Sequence, residues 1–235
     1  MEKLVACVQK KPNALCRLIC FLWAGGGTPQ LAHWGRLFND SIEVFCIRLP
    51  GRETRLGEPF PKDMTSLVNE ITSVLLKELK EKPFAFFGHS LGMYTSFAVA
   101  LHLKEKYGLE PVHLFVSAAH APNVSYRIIN IVKQNHKLAT KSKNNILLYD
   151  IQGSFNTKFF FRIYGKADMN TPFSCDVTCF RGSDYKIYDV QCWQELTNGD
   201  VSFYELPGDH FYLLKPSNES FLIKHITTCI ENASL

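Results

Sequence analysis

Short apolar runs separated by helix-period segments constrain this chain more than any other feature of its sequence. The runs fall at Leu18–Trp23, Glu43–Arg48, Phe84–Gly88, His113–Ser117, Val177–Arg181 and Ser202–Leu206. Several are nearly continuous in apolar residues rather than alternating, the pattern of parallel strands covered on both faces. Between them, Met64–Lys80 sets Leu67, Ile71, Leu75 and Leu79 on one stripe at helical spacing, with Asp63 in the N-cap position. Met93–Tyr107 and Ser217–Asn232 carry two further helical patterns. Strand–helix alternation sustained in this way predicts a doubly wound α/β fold with a mostly parallel central sheet. At 235 residues the chain is long enough to bury one sizeable core, so residues 1–235 are expected to form a single domain.

One stretch breaks the rhythm. Over 123–170 the pattern becomes irregular, with a basic part (Lys133, His136, Lys137, Lys141, Lys143) and an aromatic part (Phe155, Phe159, Phe160, Phe161, Tyr164). A structureless loop of this length is unusual inside a compact domain, so the segment reads as a lid or insertion between two core strands. A solvated basic loop beside a satellite apolar cluster fits the same residues.

The net charge of +4 is mild, and no basic stripe with interleaved aromatics accompanies it, which argues against nucleic-acid binding. Without an apolar run of about 18 residues no membrane span is expected. The first residues, Met1-Glu-Lys-Leu-Val-Ala-Cys-Val-Gln-Lys-Lys, are charged too early for a secretory signal, which points to the cytosol. There the eight cysteines are expected to be thiols. Cys16/Cys20 and Cys175/Cys179 lie in strand-like runs without further clustered ligands, so neither a metal nor another cofactor is called for.

The chemistry enters at Gly88-His89-Ser90-Leu91-Gly92, a G-x-S-x-G pentad between the apolar run at Phe84 and a helical segment. A serine on a sharp strand-to-helix turn exposes its Oγ above a helix N-terminus, and the flanking glycines let strand and helix approach closely. Serine needs a histidine to take its proton and a carboxylate to hold that histidine in the right tautomer. In α/β-hydrolases these follow in the chain order Ser, Asp or Glu, His. His210, in Leu206-Pro-Gly-Asp-His-Phe-Tyr-Leu directly after the last apolar run, takes the base position. The acid should lie in Gly182-Ser-Asp-Tyr-Lys-Ile-Tyr-Asp189, where Asp184 and Asp189 both qualify. Two N–H donors are needed for an oxyanion hole: Leu91, next to the nucleophile, and Ala24, in Phe21-Leu-Trp-Ala-Gly-Gly-Gly-Thr28 after the first long apolar run. That glycine loop lacks the Lys-Ser/Thr ending of a P-loop and the spacing of a dinucleotide fingerprint. The ordered set points to acyl transfer.

Phe21-Leu-Trp-Ala-Gly-Gly-Gly, Arg48-Leu-Pro-Gly-Arg-Glu53, Phe86-Phe-Gly-His-Ser-Leu-Gly92 and Pro207-Gly-Asp-His-Phe-Tyr-Leu-Leu214 together resemble the type II thioesterases, over roughly residues 10–122 and 171–230. The resemblance implies an α/β-hydrolase fold with Ser90 as nucleophile, His210 as base and an oxyanion hole near Ala24 and Leu91. It also implies cytosolic release of fatty acids from the acyl carrier protein of a fatty acid synthase; the chain is expected to be a monomer. On that reading, Arg52 and Arg55 are exposed candidates for gripping an acidic carrier protein or the phosphopantetheine phosphate. Two departures from the family pattern stand out. The family's G-x-x-D acid position holds Tyr185 here, with Asp184 one residue earlier, and the 123–170 segment is shorter than the family's helical lid. The same residues also fit a carboxylesterase or lipase, or a relative that binds acyl carriers without turnover.

Overall fold

The computed structural model describes residues 1, 3–123, 172–184 and 190–233. All but the first residue of the 123–170 segment, and Asp189 as well, lie outside them. Among the described residues seven strands form one sheet: β1 (Val5–Ala6), β2 (Cys16–Phe21), β3 (Ile42–Ile47), β4 (Phe84–His89), β5 (His113–Ser117), β6 (Asp176–Gly182) and β7 (Val201–Leu206). Their spatial order is β1-β3-β2-β4-β5-β6-β7, and every pairing except β1 with β3 is parallel. The predicted mostly parallel sheet is therefore present, with β5 as expected and the ends of the other predicted strands within two residues of expectation. Leu22 and Trp23, read as the end of a strand, instead lead out of β2 into the turn closed by the Gly26 N–H on the Trp23 carbonyl at 3.0 Å. The two-residue β1 is too short for periodicity to betray it.

Helices pack on both faces. The short α1 (Pro29–Ala32) and α2 (Trp34–Leu37) follow the glycine loop, where no helical stripe is long enough to be read from sequence. They are succeeded by α3 (Met64–Glu81), α4 (Leu91–Tyr107), α5 (Val190–Gln194) and α6 (Pro216–Ala233). Asp63 caps α3, its carboxylate accepting from the Ser66 N–H at 2.8 Å, as the sequence predicted. One face of the sheet buries Ile19, Phe86 and Leu114 against Leu67, Ile71 and Leu75 of α3 and Phe97 of α4. The opposite face buries Leu18, Val44 and Phe87 against Trp34 and the Leu222, Ile226 and Ile230 stripe of α6. Strands covered on both sides have no polar face to present, which is why their sequences do not alternate.

Two buried polar groups on the sheet have distinct consequences. Arg17 and Glu43, neighbours in register on β2 and β3, pair at 3.0 Å, and Glu78 of α3 joins at 2.9 Å. His113 on β5 stacks on Phe115 at 4.2 Å and meets the Thr178 hydroxyl at 2.8 Å. Burial lowers its pKa to about 4. A histidine held neutral in the fold binds fewer protons than in the unfolded chain, so stability falls as pH drops from about 6.5 towards 4. The expected loss is about 2–3 kcal/mol by pH 4.5. Denaturant melts at pH 7.5 and 4.5 should show it, and His113→Gln should reduce the difference between the two.

Candidate active site

The topology fixes where a site can form. From β2 the chain moves to β3 on one side and then crosses to β4 on the other, so β2 and β4 flank the point where strand order reverses. Ligands of open α/β sheets bind beyond the carboxyl ends of the strands at such a point. Here those ends carry the Trp23–Thr28 loop and Ser90.

Ser90 occupies the turn between β4 and α4 with φ 54° and ψ −119°, a left-sided backbone that a non-glycine residue holds only under constraint. Its N–H is tied to the Ser117 carbonyl at 2.8 Å. Both glycines of the pentad are sterically required. A Cβ on Gly88 would lie 2.4 Å from Met93 Cα, and one on Gly92 would lie 2.1 Å from the Phe21 carbonyl oxygen. The second contact seats the first turn of α4 on the chain leading into Ala24. Among the described residues neither the Leu91 nor the Ala24 main-chain N–H donates to another group.

The glycine loop is held from outside. Glu53 accepts from the Thr28 N–H and, at 2.7 Å, from the Thr28 hydroxyl, while Arg48 Nε donates to the same carboxylate at 2.8 Å. Burial pushes the Glu53 pKa up, but the bonds from Thr28 and Arg48 outweigh it and leave the group below the ordinary glutamate value. Glu53 itself has φ 48°, and Gly51 just before it φ 75°. The Arg48-Leu-Pro-Gly-Arg-Glu53 segment is thus a brace for the loop after β2, a role that sequence reading did not assign.

That segment also corrects an expectation. Arg55 is buried, 4% exposed, with its guanidinium on Glu58 at 2.6 Å, on Glu70 and on the Arg48 carbonyl at 3.0 Å. It is a structural cation and cannot grip a partner from solvent; its charge looked available because Glu70 lies a helix away in sequence. Arg52 is half-buried with its guanidinium 5.8 Å from the Phe60 ring centre.

His210 lies in the turn after β7, half-buried, with its ring 5.0 Å from that of His89 and 5.1 Å from Phe211. The turn interlocks with the one after β6: a Cβ on Gly182 would fall 2.1 Å from the Asp209 carbonyl oxygen. The Asp184 N–H donates to the Gly208 carbonyl at 3.0 Å, and Gly208 N–H to the Ser183 hydroxyl at 3.2 Å. Within this turn the Asp184 carboxylate is exposed and accepts from Ser183 at 3.1 Å, with no hydrogen bond to His210. Ser90 Oγ likewise makes no hydrogen bond to His210 among the described residues; such bonds are commonly long without substrate and tighten when it binds.

His89, the variable residue of the pentad, is fully buried. Its Nδ1 is 2.8 Å from the Ser117 hydroxyl, which is 2.6 Å from the Tyr212 hydroxyl. Burial, and then the charge of His210, hold its pKa well below the ordinary histidine value. Its place between two glycines was the only signal in the sequence.

A thioesterase domain matches residues 16–128, a span that contains the glycine loop, the brace and the serine turn. The chain is 46% identical to the medium-chain S-acyl fatty acid synthase thioesterase of Anas platyrhynchos over 259 aligned positions, covering all of both chains. It is 41% identical to the protein of the same name from Rattus norvegicus, covering all of this chain and 95% of that one. The crystal structure of human thioesterase 2 superposes with a TM-score of 0.67 at 30% identity, over 94% of this chain and 99% of that one. Similarity that runs the length of both chains, and a matching three-dimensional frame for the serine turn and its glycine loop, establish that the chain belongs to the thioesterase family with an α/β-hydrolase fold.

Proposed function

We propose that this chain hydrolyses fatty acyl thioesters carried on the acyl carrier protein of a fatty acid synthase, acting as a cytosolic monomer through an acyl-Ser90 intermediate. The observation that carries the reading is the strained Ser90 turn, locked by Gly92 against the chain entering Ala24, with the Leu91 and Ala24 N–H groups both unengaged among the described residues. The names of its full-length relatives support the substrate class. Among the described residues no helix is long and apolar enough to cross a membrane.

In the reaction His210 takes the Ser90 proton as Oγ attacks the thioester carbonyl, and the Leu91 and Ala24 N–H groups stabilise the oxyanion. Collapse expels the pantetheine thiolate, which takes the proton from His210 and returns the imidazole to its neutral form. With a pKa near 8.5, a thiol leaves far more readily than an alcohol, so protonation of the leaving group matters less than in ester hydrolysis. Water, deprotonated by His210, then attacks the acyl-serine and releases the free acid. We assign the acid that orients His210 to the turn after β6, with Asp184 first and Asp189 as its alternative. The interlock of that turn with the His210 turn supports the assignment. For Arg52 the reading is a contact with the acidic carrier.

Intact-mass measurement after mixing with an acyl-pantetheine thioester should show one acyl adduct, on Ser90, together with released fatty acid. A matched oxyester should turn over more slowly; a preference for the oxyester would make the chain an esterase, and carrier binding with neither adduct nor turnover would make it a binder. Of Asp184→Asn and Asp189→Asn, one should lose roughly 100- to 10,000-fold in kcat while the other stays within about twofold. Two near-wild-type variants would move the acid out of this turn.

A further inference from the structure

His89, Ser117 and Tyr212 come from β4, β5 and the 3-10 turn Tyr212–Leu214, yet form one buried chain of polar groups beneath His210. His89 and Ser117 are register partners on adjacent parallel strands, so their side chains stand side by side. The direction of the chain follows from its ends. Among the described residues the fully buried Tyr212 hydroxyl has one hydrogen-bond partner, Ser117 Oγ, and places its proton there. Ser117 then donates to His89 Nδ1, which leaves the His89 proton on Nε2. Nε2 is buried without a hydrogen-bond partner among the described residues, and the His89 ring lies 5.0 Å from the His210 ring, centre to centre.

We propose that Tyr212, Ser117 and His89 position His210, with His89 fixed in the Nε2–H tautomer and its ring packed against the His210 imidazole. The inference rests on His210 being the base. His89 is a positioning residue: it is fully buried and acts through the His210 ring it packs against. Trp23, edge-on to the His89 ring at 5.3 Å, closes the site from the glycine-loop side, so the ring cannot turn away from His210 without displacing the loop that carries Ala24.

The full chain labelled with ¹⁵N on histidine should give the Nε2–H pattern for His89, and Ser117→Ala should disturb it. An Nδ1–H pattern in the wild type would overturn the proposal. Ser117→Ala should lower kcat about tenfold, the scale of one lost buried hydrogen bond, with KM within twofold. Ser117→Thr, which keeps the hydroxyl, should restore it. Tyr212→Phe should act in the same direction, and the double variant should be no worse than Ser117→Ala alone. A wild-type kcat in Ser117→Ala, or strictly additive losses, would overturn the chain. His210→Ala separates the levels: if it retains activity the base assignment fails, whereas if it is inactive while Ser117→Ala turns over normally, only the positioning inference fails.

Discussion

Ser90→Ala is expected to lower thioester turnover by about 10,000-fold or more while changing stability by no more than about 0.5 kcal/mol. The two halves of that expectation have separate causes. The hydroxyl makes no hydrogen bond among the described residues, so its removal leaves no buried partner unsatisfied. Alanine at φ 54° carries the same backbone strain as serine, and the N–H bond to the Ser117 carbonyl is kept. What disappears is the atom that attacks the acyl carbon, and His210 and the oxyanion donors then have nothing to activate. A continuous assay of released thiol, with a thermal melt on the same sample, measures both. Turnover within tenfold of wild type would exclude an acyl-Ser90 mechanism.

Gly92→Ala should damage the fold and the chemistry together. The added methyl would lie 2.1 Å from the Phe21 carbonyl oxygen, 2.4 Å from its carbon and 2.6 Å from the Leu22 carbonyl oxygen. These are main-chain atoms of a central strand and the residue that leaves it, so no side-chain rotation relieves the clash. Either the first turn of α4 lifts or the end of β2 moves, at a cost of about 3 kcal/mol and roughly 10 °C in Tm. Both movements separate Leu91 from Ala24, and loss of an oxyanion donor costs about 100- to 1,000-fold in kcat. Gly57→Ala is the matched control: nothing lies within 4 Å of its Cβ position, and it should be close to neutral. Equal behaviour of the two variants would refute the packing argument.

How much of this was legible in sequence depended on the range of the interaction concerned. The long strands and the helices α3, α4 and α6 were readable because burial on both faces of a parallel sheet and on one stripe of a helix imposes a local pattern. The serine turn was readable because the residues that form it are contiguous, although what demands glycine at 92 is the distant Phe21 carbonyl. Arg55 was misread, since nothing local says that Glu70 will arrive beside it. The chain from His89 to Ser117 to Tyr212 spans sequence separations of 28 and 95 residues, and only the strand order β4-β5 and the return of the chain after β7 bring its members together. The orienting acid is undecided in sequence for the same reason, because Asp184 and Asp189 are equivalent until the path of their turn past His210 is known.

The brace at Glu53 has a consequence for how such enzymes diversify. Thr28 and Glu53 belong to connections after different strands, yet the carboxylate of one fixes the main chain of the other. The two connections therefore depend on each other structurally. A glycine loop transplanted from a relative without its matching Arg-Leu-Pro-Gly-Arg-Glu segment would arrive unsupported, and the donor's segment alone would leave a carboxylate and Arg48 facing no loop. Recombination between family members should succeed where crossovers keep residues 24–53 together and fail where they fall between Thr28 and Arg48.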